Sequence, residues 1–145
     1  MKTLSKKLCV CAIICLLLIS CFTLSACGSK QITIKQIHEK LISSSYGVEH
    51  TIDAETIATQ TSRWVYAMEK QNVDSEHLMI VAVFNYGSNL HQIDILKFSK
   101  DKYAKKMIQN YDFGDSVTAK RYGNLVVVVR NQIQFEIFTL INSIK

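Results

Sequence analysis

VTAKRYGNLVVVVR, from Val117 to Arg130, is the stretch of sequence that decides the fold. Two runs of six residues, Val117–Tyr122 and Leu125–Arg130, flank Gly123-Asn124, a dipeptide suited to the positive dihedral angles of a tight hairpin turn. The four consecutive valines of the second run are the strongest indication of a buried strand in the chain. The stretch therefore predicts an antiparallel hairpin with one fully buried strand.

A second hairpin is predicted upstream. Leu78–Tyr86 (LMIVAVFNY) is short, branched and aromatic, as expected for a strand covered on both faces, and Gly87-Ser88-Asn89 is a turn sequence. His91–Phe98 follows as its partner. This second strand alternates between an apolar and a polar side, with Ile93 and Ile95 against Gln92 and Asp94.

Three helices are predicted around the hairpins. Thr33 is expected to cap the first helix, which extends to about Ser43. Asp53 is expected to cap the second helix. Ser99 is expected to cap the third, which extends to about Tyr111. The second and third carry apolar stripes at helical spacing: Ile57, Thr61, Trp64, Val65 and Met68 in one, Tyr103, Met107, Ile108 and Tyr111 in the other.

The tail, Asn131 to Lys145, fits two structures. Ile133, Phe135 and Ile137 alternate as in a strand. A helix capped by Asn131, with Gln134 three residues later to complete the cap, would also present an apolar face. The helix is favoured. The fold prediction is then α+β, with the order ααββαββα: an antiparallel sheet of about four strands with helices packed on it, after an N-terminal signal helix.

The amino-terminal thirty residues have the layout of an export signal. Lys2, Lys6 and Lys7 precede an apolar run, Leu8–Leu24, which leads into Leu24-Ser25-Ala26-Cys27. This tetrapeptide resembles the lipobox of bacterial lipoproteins. The resemblance implies cleavage between Ala26 and Cys27, a diacylglycerol group on the Cys27 thiol and often an acyl chain on the new amino terminus.

The resemblance also implies a domain organisation and a location. Residues 1–26 would be a removed signal peptide, 27–32 the lipidated cysteine with a short tether, and 33–145 one small α+β domain. The protein would be anchored by lipid at the extracytoplasmic face of a cell membrane. Two alternatives are an uncleaved membrane-spanning helix over Leu8–Leu24 and an ordinary signal cut after Ala26.

Composition excludes several classes of protein once the signal is set aside. All five cysteines lie at or before residue 27, which excludes disulfides, thiol redox pairs and zinc–thiolate sites in the folded domain. The net charge of +5 includes three lysines of the signal, so 14 basic and 12 acidic residues remain, a net +2. We therefore expect no nucleic-acid partner.

No catalytic motif and no metal site is predicted. His77 and His91 both border the upstream hairpin, Leu78–Phe98, and so could lie near each other, but exposed polar histidines are favoured over metal ligands there. Glycine loops for phosphate and nucleophile elbows do not occur in the sequence. The expectation is a protein that is not an enzyme, with no cofactor beyond the covalent lipid.

Two groups of side chains suggest binding surfaces. Basic residues surround the third helix and the following strand, where they could contact anionic lipid headgroups: Lys97, Lys100, Lys102, Lys105, Lys106, Lys120 and Arg121. The aromatic pairs Trp64 with Tyr66 and Tyr111 with Phe113 could line a groove, but aromatics at helical spacing are more often core. A solvated helix face is the alternative for the basic residues.

Two functions remain open. The favoured one is non-enzymatic binding at the cell envelope, either sequestering a peptide or contacting an envelope protein complex. The other is a small envelope enzyme or chaperone whose site is assembled from scattered residues. A polar cavity that holds titratable groups would favour the second function, and a continuous apolar or basic patch the first.

Overall fold

The computed structural model of the chain describes residues 31–44, 48–49, 54–86, 91–130 and 133–144. The helices and strands in these ranges are, in chain order, α1 (Ile34–Ile42), β1 (Val48–Glu49), α2 (Ala54–Lys70), β2 (Leu78–Tyr86), β3 (His91–Phe98), α3 (Asp101–Asn110), β4 (Val117–Tyr122), β5 (Leu125–Arg130) and α4 (Gln134–Asn142). The predicted α+β class is confirmed, as is the order of the long elements. The two-residue strand β1 was not predicted, and the expected signal helix lies outside the described residues.

The strands form one antiparallel sheet in the order β1-β2-β3-β5-β4. The two predicted hairpins, β2-β3 and β4-β5, are joined where β3 pairs with β5, with Ile95 opposite Val127. α3 makes the connection between the hairpins. The four long strands have the bounds that the sequence predicts, because turn residues and alternation are local signals.

Helices cover both faces of the sheet. α1 and α4 pack on one face, and α2 and α3 pack on the other. Since side chains alternate along a strand, β5 sends Val127 and Val129 to the α1/α4 face and Val126 and Val128 to the α2/α3 face. This double burial explains why β5 is apolar without interruption.

The helix starts differ from the sequence prediction for both α3 and α4. Thr33 does cap α1, in a reciprocal capping box with Gln36. The N-cap of α3 is Lys100, not Ser99, because the backbone N–H of Ser99 donates to the His77 carbonyl and so continues the strand region. Asp53, the proposed cap of α2, lies outside the described residues.

The tail is a helix, as favoured, but it begins later than expected. The N-cap of α4 is Ile133 rather than Asn131. Gln134, which was expected to complete a cap with Asn131, instead accepts a hydrogen bond from the Thr118 hydroxyl of β4. This tertiary contact takes the place of the local cap.

Candidate functional site

The sheet has two distinct ends. At the entry end lie Gln31, the start of β2, the end of β3 and the β4–β5 turn, where Gln31 donates to the side-chain oxygen of Asn124. At the far end lie the start of β3, the end of β5 and the end of α3. The five residue steps of β5 separate the two ends by about 17 Å.

A buried carboxyl group lies near the far end, on the α2/α3 face. Asp94 of β3 is 1% exposed and is the single buried charged residue among those described. The indole N–H of Trp64 donates to its Oδ2 at 3.0 Å, and the Gln92 amide donates to its Oδ1 at 2.6 Å. Arg130 Nη2 lies 3.9 Å from Oδ2. Asp94 therefore connects α2, β3 and β5.

Burial raises the pKa of Asp94 above its ordinary value of 3.8. The hydrogen bonds from Gln92 and Trp64, and the positive charge of Arg130, act in the opposite direction and favour the carboxylate. Every group that contacts the two oxygens is a donor, which suits an ionised acceptor. The two hydrogen bonds and the Arg130 charge thus offset part of the cost of burying this carboxylate, and burial remains the largest effect on its pKa.

A cavity of about 250 Å³ opens beside this cluster. Residues of α2, β3, β5 and the end of α3 line it, namely Gln60, Arg63, Trp64, Ala67, Gln92, Asp94, Tyr111 and Arg130. Two arginines, two amides and a phenol thus converge on one space with an indole ring. We refer to it as the far-end cavity.

The aromatic residues around the cavity also pack as core. The ring centroids of Trp64 and Tyr111 are 5.6 Å apart, and those of Tyr111 and Phe113 are 4.8 Å apart. Burial raises the pKa of Tyr111, Arg130 lowers it and Asp112 raises it, so the phenol keeps its proton near neutral pH. Tyr66, paired with Trp64 in the sequence prediction, is 68% exposed and lines no part of this cavity.

The seven basic residues do not form one patch. Lys120 and Arg121 are neighbours in β4 and so point to opposite faces of the sheet. Lys120 lies over the Phe138 ring of α4, at 4.6 Å, whereas Arg121 pairs with Asp101 of α3. Lys97 lines a second cavity, of about 390 Å³, at the entry end.

The four remaining lysines lie on or beside α3. Lys100 is the N-cap residue of the helix, without a capping hydrogen bond from its side chain, and Lys102, Lys105 and Lys106 are exposed along the helix. Lys102 also stacks over the Tyr103 ring at 4.7 Å. Of the seven basic residues of the predicted patch, only these four lysines lie together, on and beside the solvent-facing side of α3.

His77 and His91 do not lie near each other. They border opposite ends of β2, which is about 27 Å long at about 3.4 Å per residue. The histidines are apart because β2 and β3 run antiparallel over their full length. His77 stacks on Tyr103, with ring centroids 3.5 Å apart. Within the described ranges, no three histidine, cysteine or acidic residues are grouped so that they could hold a metal ion.

Sequence reasoning missed the role of Asp94 and Arg130. Alternation in β3 placed Gln92 and Asp94 on a polar side, which suggested solvent, but α2 covers that side and buries Asp94. Gln92 and Asp94 on one side of β3, together with Arg130 at the end of β5, were the available signal. Only the sheet order shows that these residues meet.

The lipobox, including Ala26 and Cys27, lies outside the described residues, as does the apolar run Leu8–Leu24. Of the helices that the structure describes, none has the length and apolar character to cross a membrane. Comparison with models of protein families, with curated proteins and with solved structures finds no match to this chain.

Proposed function

We propose that this protein is a lipid-anchored binding protein at the extracytoplasmic face of a cell membrane, and that its ligand enters the far-end cavity. Its partners would be the membrane, through lipid on Cys27, and an envelope peptide, protein or small molecule. The observation that carries the binding role is the far-end cavity, with its converging polar groups and its rigid support through Asp94.

The position of the cavity supports a role facing away from the membrane. Gln31 follows Cys27 by four residue steps, and four extended residues reach at most about 14 Å. The entry end would therefore lie near the headgroups, with the cavity at the opposite end of the sheet. Met79 (56% exposed), Ile80 and Lys97 lie at the entry end and suit contact with an anionic bilayer.

A specific observation favours the enzyme alternative, namely a titratable carboxyl group beside a polar cavity. Binding is nonetheless better supported. Asp94 is almost fully buried, and donors from Gln92 and Trp64 occupy both of its oxygens. A carboxylate in this position orients its neighbours, whereas an acid or base must reach the reacting atoms.

The binding role can be tested by filling the cavity. Ala67 lines it on α2, so Ala67→Leu should remove ligand space while keeping a good helix former. We expect small molecules or peptides that co-purify with the full-length chain from its own membranes, identified by mass spectrometry, to be lost from this variant. Ala58→Leu, on the exposed side of the same helix, should retain them. Equal recovery from both variants would exclude the far-end cavity as the binding site.

The anchor has a separate test. Cys27→Ala should abolish acylation and processing, because the thiol that carries the lipid is removed. We expect mass spectrometry to find an acylated amino-terminal Cys27 in the unaltered protein, and an unprocessed or released chain in the variant. Cys21→Ala, within the apolar run, is the matched control and should be processed normally. Recovery of an intact Met1–Ala26 segment from the unaltered protein would refute the lipoprotein proposal.

A further inference from the structure

We infer that the far-end cavity binds a carboxylate group, held by Arg63 and Arg130, on a molecule with a small apolar portion. This inference rests on the proposed binding function and names the class of ligand. It begins from the charges on the lining, which are two arginines and one aspartate. The sum is +1 with Asp94 ionised and +2 with it protonated, so the cavity favours an anion in either state.

The two arginines differ in how they are held. Arg130 forms an ion pair with Asp94, with Nη2 at 3.9 Å from Oδ2, which favours a position of its guanidinium at the wall of the cavity. Arg63 forms no ion pair with any described residue, and it is exposed on α2 at the cavity. Guanidinium groups bind carboxylates in a planar, two-point geometry. The guanidinium group of Arg63 is therefore available for two-point binding of a carboxylate. Arg130, which is paired with Asp94, adds a second positive charge.

The remaining lining selects among anions. Asp94 lies within the same wall, and a phosphate dianion would bring a second negative charge close to it. A monoanion matches the net charge of +1 and is repelled less strongly by Asp94 than a dianion would be. Gln60 and Tyr111 can donate hydrogen bonds, while Trp64 and Ala67 offer apolar contact beside them. A carboxylate with a short apolar or amide-containing portion satisfies both kinds of surface.

Volume limits the size of the bound portion. At about 30 Å³ for each water molecule in the liquid, 250 Å³ corresponds to about eight waters. A group of about eight non-hydrogen atoms, such as N-acetylglycine, is of this size. The same group forms the end of a peptide with a free carboxyl terminus. The carboxylate could therefore belong to a free small acid or to a peptide end.

Trp64 makes the test direct, because it is the one tryptophan of the 145 residues and it lines the cavity. Full-length protein in detergent would be titrated with N-acetylglycine and with its neutral amide, N-acetylglycinamide, while Trp64 emission is recorded. We expect a saturable change with the acid and at least about tenfold weaker binding of the amide. N-acetyl-Ala-Ala-Gly, tested as acid and as amide, distinguishes the sources. Tighter binding of this peptide acid than of N-acetylglycine assigns the site to peptide ends, and equal binding assigns it to small acids.

Substitution on α2 supplies the matched control. Arg63→Gln should weaken binding of the acid by about tenfold, since a charge-assisted hydrogen bond is lost. Lys70→Gln removes an equal charge at the C-terminal end of the same helix, outside the cavity, and should leave the affinity within about twofold. Circular dichroism of both variants would check that the fold is retained.

Three results would overturn the inference: equal affinity for acid and amide, an unchanged affinity after Arg63→Gln, or no response of Trp64 to any of the acids. None of these decides the proposed function. Loss of co-purified material from Ala67→Leu would still show that the cavity binds a ligand, though of another class. If Ala67→Leu also retained the co-purified material, the far-end cavity would be excluded as a ligand-binding site.

Discussion

Replacement of Asp94 by alanine is expected to lower the free energy of unfolding by about 3 kcal/mol, because it leaves buried donors without an acceptor. The Trp64 indole N–H would lose its acceptor in the core, and Gln92 and Arg130 would lose the group that orients them. Denaturant unfolding followed by circular dichroism measures the effect. Asp115→Asn, at an exposed turn, is the control and should cost less than about 0.5 kcal/mol.

The difference in the free energy of unfolding between the unaltered protein and Asp94→Asn is expected to depend on pH. Because burial raises the pKa of Asp94 in the folded state, the folded protein binds this proton more readily than the unfolded chain does. The resulting stabilisation is fully present below pH 3.8, the ordinary value, and is lost as the pH rises through the folded pKa. The amide cannot titrate, so the unaltered protein should gain stability relative to Asp94→Asn on acidification. A difference that moves in the opposite direction would show that the donors outweigh burial.

Phe138→Ala is expected to cost about 3–5 kcal/mol in the free energy of unfolding. Phe138 of α4 is 2% exposed and packs in the core between α1, α4 and the sheet. Its removal leaves a cavity in that core and also takes away the ring over which Lys120 lies. Denaturant unfolding would again measure the loss.

Phe135→Ala is the matched control, because Phe135 lies on the same helix and is 86% exposed. Its loss should change the free energy of unfolding by less than about 0.5 kcal/mol. The pair also discriminates between the two structures considered for the tail. A strand with the alternation Ile133, Phe135, Ile137 would bury Phe135, so a large cost at Phe135 with a small one at Phe138 would contradict the helix.

Much of the fold could be predicted from the sequence because its signals are local. The bounds of β4 and β5 follow from Gly123-Asn124 and the valine run. The cap of α1 follows from Thr33, whose partner Gln36 is three residues away. The predicted start of α4 was wrong because the Gln134 side chain accepts a hydrogen bond from Thr118, which lies 16 residues earlier in the chain. A cap that competes with a tertiary contact cannot be judged from neighbouring residues.

The candidate site could not be predicted in the same way. Its cluster brings Trp64 of α2 to Asp94 of β3, 30 residues apart in the chain, with Arg130 of β5 beside them. Each residue has an ordinary local interpretation: a core aromatic, a polar strand residue and a strand-end arginine. The aromatic interpretation was correct for packing, yet it gave no indication that Trp64 and Tyr111 also line a polar cavity.

By itself, the sequence determined the four long strands and the order of the helices around them, because turn dipeptides and apolar periodicity act over a few residues. It also supplied the prediction of a lipid on Cys27, which depends on a tetrapeptide motif. Only the tertiary structure decided that Asp94 is buried and that the predicted basic patch is divided between two faces. It also decided that His77 and His91 lie at opposite ends of β2. These outcomes depend on strand order and on which helix covers which face, and both are set by contacts between segments far apart in the chain.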